Sequence, residues 1–147
     1  MKGKWKLLLI LPVAAVICFI FFNSTLSNAS SGAISKQVAR FFSPILNPFQ
    51  VIRNGHYQRM IRKIAHFVEF FALGGCLGWI AGKLKCKGRW AITAVLAVLI
   101  ACADEIIQCF SADRSNSFFD VVIDVAGALC GMAAIVLIKK YRTNRGK

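Results

Sequence analysis

Four apolar runs constrain this chain more than any other feature. They cover residues 7–22, 64–82, 90–110 and 118–138 of a 147-residue sequence, and little is left outside them to build anything else. A hydrocarbon core about 30 Å thick asks for roughly 20 apolar residues per helix, and each run comes close to that length. The hydrophobic content of 57% and mean hydropathy of +0.61 exceed what a soluble globular domain carries. The fold class predicted is therefore all-α: an integral membrane four-helix bundle. Between the first and second spans Ile34, Val38, Phe41, Phe42, Ile45, Leu46 and Phe49 recur at helical spacing. That pattern predicts a short amphipathic helical segment, either lying on the membrane surface or packed over the mouth of the bundle.

The net charge of +13 would point to nucleic acid in a soluble protein, but its distribution here does not. Lys2, Lys4 and Lys6 precede the first run, Lys83, Lys85, Lys87 and Arg89 fill the link between the second and third, and Lys139, Lys140, Arg142, Arg145 and Lys147 follow the fourth. Those residues lie in short stretches on one side of a four-span topology. The other side receives Lys36, Arg40, Arg53, Arg59, Arg62, Lys63 and Arg114, spread over longer sequence. The positive-inside rule then puts both termini in the cytoplasm of a multi-pass protein of the cytoplasmic membrane. The first run, with its charged start and small-residue exit, reads either as a cleaved leader or as an uncleaved signal anchor. On this division residues 1–61 hold the first span and an extracytoplasmic amphipathic loop, residues 62–140 a core of three spans, and residues 141–147 a basic cytoplasmic tail. The six cysteines form no C-x-x-C pair and read as buried small hydrophobes rather than a disulfide framework or zinc ribbon.

The acids are the informative residues. Of the six, Glu69, Asp104, Glu105, Asp120 and Asp124 fall inside predicted spans, and Asp113 alone lies in a loop. A charge at the centre of a membrane helix costs roughly 2.5–3.5 kcal/mol on insertion scales, so such residues mark pathways or sites. At about 1.5 Å rise per residue, Glu69, Asp104, Glu105 and Asp124 come out about 8–9 Å inside the same end of their spans, with Asp120 and His66 about 3 Å from it. His66 and Glu69 share a helix face with Arg59 and Arg62, and Asp120 and Asp124 share one with Gly127 and Gly131. The candidate site is therefore a polar pocket open to the outer leaflet, in which His66, Glu69, Asp104, Glu105, Asp120 and Asp124 are the candidate catalytic groups. Arg59, Arg62, Lys63, Gln108 and Arg114 line its rim as candidate substrate-binding groups.

Two stretches in this order, "RKIAHFVEFFALG" and "DEIIQCFSADRSNSFFDVVIDVAGALCG", resemble the VanZ-like family of small bacterial membrane proteins, named after a teicoplanin-resistance component. The resemblance covers residues 62–131 and rests on three motifs in register: R-K-x-x-H-F-x-E-[YF], D-E-x-x-Q, and R-[ST] before D-x-x-x-[DN]. Ala112 departs from the family's usual Pro-Gly before the arginine. The resemblance implies a protein of the bacterial cell envelope, linked in the named member to lowered glycopeptide susceptibility, and carries no chemical activity with it.

Two functions follow as expectations. One is binding of a lipid or glycolipid head group, whose phosphate would meet the arginines and lysine; the partners are then membrane lipids or lipid-linked cell-wall intermediates. The other is an intramembrane hydrolase or transferase acting on a phosphate-containing lipid-linked substrate, with His66 and the carboxylates serving as acid and base or as ligands of a divalent metal. No nucleophilic serine or cysteine stands in a recognisable setting, and the other halves of the spans carry no charge, which argues against a through-path for protons. Oligomeric state is not legible.

Overall fold

The computed structural model describes residues 2–26, 54–84, 86–111 and 118–145, together with residues 33, 37, 38 and 41. Within them the chain is all-helical: α1 (Lys2–Thr25), α2 (Asn54–Ala81), α3 (Arg89–Cys109) and α4 (Phe118–Arg145). Of the residues that define the expected amphipathic segment, Val38 and Phe41 are described, both helical and exposed; the others, and Arg114, lie outside the described residues. Among the described residues three stretches are long and apolar enough to cross a membrane: Arg59–Ala81, Arg89–Cys109 and Phe118–Arg145. In α1, a helix of 24 residues, the described apolar part is Ile10–Thr25.

The packing is inside-out relative to a soluble bundle. Large apolar side chains such as Ile92, Val95, Leu99 and Leu137 are exposed, whereas Ser24, Thr93, Asp104, Gln108 and Asp124 are buried. Water would penalise that surface; hydrocarbon does not, and it is the polar groups that must turn inward. The cysteines follow the same rule and correct the expectation that they are buried: none is in a disulfide, five are exposed and Cys76 is half-buried. A small apolar side chain is as well accommodated against lipid as in a core.

The apolar part of the interior joins all four helices through Val13 and Ile20 of α1, Phe70, Leu73 and Leu77 of α2, Ala97 and Ile100 of α3, and Ala128 and Met132 of α4. The most extensive interface is between α2 and α4. Its backbones approach so closely that a Cβ built at Gly74 would collide with the carbonyl oxygen of Ala128, and one at Gly131 with that of Phe71. Small residues at this seam are what permits close helix contact in lipid, where no hydrophobic force drives helices together. At the other end of α2, Gly88 (φ 77) adopts the left-handed conformation that lets the short basic link turn into α3.

Candidate functional site

The up-down course of the four helices brings the C-terminal ends of α1 and α3 to the same end of the bundle as the N-terminal parts of α2 and α4. His66, Asp104 and Asp124 meet there, on α2, α3 and α4. Each offers one ligand atom, and these atoms lie within 4.8 Å of one another.

Asp104 is fully buried and held from both sides. Ser24 Oγ donates to its Oδ1, and Gln108 Nε2, one turn further along α3, donates to its Oδ2 at 2.6 Å. His66 Nδ1 stands 3.9 Å from the same Oδ2, outside hydrogen-bond range but close enough for electrostatic attraction when the ring is protonated. Asp124 is 1% exposed, and both its carboxylate oxygens are buried without a hydrogen-bond partner among the described residues. It also experiences the fields of Asp104, Asp120, Glu105 and Glu69. A buried carboxylate in that position is costly unless a positive charge or a proton answers it.

Exposure rises towards the bundle end. Lys63 Nζ and Asp120 Oδ1 are 2.7 Å apart, with side chains 44% and 30% exposed. Asp120, expected among the site residues, is the partner of Lys63. Of the other candidates on α2, Arg59 is exposed, Arg62 is partly buried, and Glu69 accepts a hydrogen bond from Asn23 Nδ2 at 2.8 Å. Glu105 is partly buried on α3.

Sequence reasoning walled the pocket with the second, third and fourth spans and left out the first. The structure adds α1: Asn23 reaches Glu69, Ser24 reaches Asp104, and Ser111 Oγ donates to Ser24 O at 2.7 Å, tying α1 to the end of α3. In the sequence these residues belong to the polar exit "NSTLSNASSG", where nothing distinguishes a residue that turns inward from one that faces water. The available signal was that Asn23 and Ser24 lie only one and two residues past the apolar run.

A family model, VanZ/LLP1, matches residues 9–139. The chain belongs to the VanZ/LLP1 family. The match extends beyond residues 62–131, where the motifs were recognised, and takes in the α1 residues that reach the site. No match was found among curated proteins or among solved structures.

Proposed function

We propose that this VanZ/LLP1 membrane protein binds the phosphate-bearing head group of a lipid or lipid-linked cell-wall intermediate at the His66–Asp104–Asp124 end of the bundle. On this reading it is a protein of the bacterial cytoplasmic membrane, both termini are cytoplasmic, and the pocket opens to the outer leaflet. One observation carries it: polar groups buried in the bundle grade into a half-exposed Lys63–Asp120 rim at a single end, beside Arg59 and Arg62. Such a gradient suits an amphipathic occupant whose tails remain in lipid while its head group enters from the side. Guanidinium groups at the rim match phosphate oxygens in number and geometry.

The test is native mass spectrometry of the full-length chain purified from bacterial membranes. A phosphate-bearing lipid should be retained by the wild type and lost when Arg59, Arg62 and Arg114 are all changed to Ala. Equal retention by that triple variant would refute head-group binding through the rim.

A second reading has its own support: His66 beside a carboxylate fixed by two donors is the arrangement of an oriented general acid–base pair. It makes the protein a hydrolase or transferase of the same lipid class. Turnover of added phospholipid or lipid-linked phosphate, followed by mass and abolished by His66→Gln, would establish it, and no turnover by the wild type would refute it. The family resemblance adds an effect on teicoplanin susceptibility, which requires that deleting the gene change the inhibitory concentration of teicoplanin.

A further inference from the structure

We infer that His66, Asp104 and Asp124 bind one divalent first-row metal ion between α2, α3 and α4. This inference stands on the three side chains themselves and holds whether or not the head-group reading does.

Geometry comes first. The three ligand atoms are within 4.8 Å of one another. Around a tetrahedral ion with bonds of about 2.1 Å they would be about 3.4 Å apart, so side-chain rotation of about an ångström closes the set. Charge comes second. A 2+ ion with two carboxylates and a neutral imidazole is a neutral unit, which is the form a membrane interior tolerates. Lys63 does not supply that charge, because its ammonium is engaged by Asp120.

Satisfaction of the polar groups comes third, and it separates this triad from a mere cluster of acids. Asp124 is 99% buried, from its 1% exposure; neither of its oxygens has a hydrogen-bond partner among the described residues, and one of them is its ligand atom in the triad. Asp104, by contrast, accepts a hydrogen bond on each oxygen, from Ser24 and Gln108. Donors on a ligating carboxylate are the usual outer-shell arrangement, which fixes its orientation and favours its ionised form.

The donor set defines the ion's class. Imidazole with two carboxylates suits Mn2+, Fe2+ or Zn2+ better than Mg2+ or Ca2+, which prefer all-oxygen shells. No thiolate is among the triad's three ligand groups.

The experiment uses the full-length chain in detergent, stripped of metal with chelator and titrated with Mn2+ alone, no lipid substrate being added. Electron paramagnetic resonance should show a single bound ion whose electron spin-echo envelope carries nitrogen modulation from an imidazole. His66→Gln should abolish the modulation, His56→Gln should keep it, and Asp124→Asn should weaken binding at least about tenfold, the scale seen when metal-site groups are lost. Three results would overturn the inference: no Mn2+ bound to the wild type, bound Mn2+ without nitrogen modulation, or undiminished binding by folded Asp124→Asn. The first of these would leave a proton rather than a metal ion to compensate the buried charge. Should Asp124→Asn not fold, the wild-type nitrogen signal and its dependence on His66 decide the matter. Loss of lipid binding in the arginine triple variant with Mn2+ binding intact would separate failure of the head-group reading from failure of this one.

Discussion

Asp104 and Asp124 are equally buried and unequally served, and that difference orders the energetic consequences of change at the site. Removing a donor from a buried carboxylate forfeits a charge-assisted hydrogen bond and leaves the acceptor desolvated, at about 1–3 kcal/mol. Ser24→Ala should therefore lower the thermal midpoint of the detergent-solubilised protein measurably, and Gln108→Met similarly, since both act on the same acid. Lys63→Met should do much less, because its partner is partly exposed and such pairs contribute about 0–1 kcal/mol. If Lys63→Met proved the more damaging of the three, the rim rather than the buried acid would be what holds this end together. At this scale the sequence was informative where it broke a pattern: an aspartate or histidine in an apolar run is conspicuous, and His66, Asp104 and Asp124 could be singled out for that reason. Asn23 and Ser24 break no pattern where they stand, so their contacts to Glu69 and Asp104 become visible only when α1 is placed beside α2 and α3.

Among the elements, the α2–α4 seam sets the spacing on which the site depends, because His66 and Asp124 lie on its two sides. Gly74 and Gly75 give a paired test with one atom changed each time. A Cβ at Gly74 meets the Ala128 backbone, whereas one at Gly75 meets nothing within 4 Å. Gly74→Ala should cost about 1–3 kcal/mol through overpacking that a backbone carbonyl cannot relieve. Gly75→Ala should be neutral or slightly stabilising, Ala being the better helix former. Unfolding of each variant by SDS titration, followed by circular dichroism, checks both; equal effects would mean the seam is looser than its glycines imply. The four elements were legible because apolar length is a strong signal, but their bounds were not. The second span read as residues 64–82, and α2 begins at Asn54; the fourth read as 118–138, and α4 runs to Arg145. Hydropathy reports where the chain meets hydrocarbon, while helix ends follow backbone hydrogen bonding, and both helices continue past the apolar run on polar and basic residues. Gly127 and Gly131 were visible in the sequence on the face of the acids; what gives them weight is the carbonyl facing each one.

For the whole molecule, an apolar exterior around buried aspartates makes sense only in a membrane, yet the same coordinates fit a bilayer in either sense. Orientation must come from charge. The basic link containing Lys83, Lys87 and Arg89 lies at the end of the bundle opposite the site, and the tail after α4 emerges at that same opposite end. By the positive-inside rule, short links rich in lysine and arginine favour the cytoplasmic side of a membrane. The site end should then face outward. Cys86, exposed in that link, and Phe110, 87% exposed just past α3, report on the two ends. In a background with the other cysteines changed to Ser, a membrane-impermeant maleimide should label Phe110→Cys in intact cells and Cys86 only after permeabilisation. The opposite pattern would turn the pocket to the cytoplasm, where its occupant would be drawn from the inner leaflet, and outer-leaflet lipid-linked intermediates would no longer be candidates for it. The Mn2+ titration would be unaffected by that outcome, because the triad's geometry is the same whichever way the bundle is inserted, so the two measurements constrain what is bound and from which side it arrives independently.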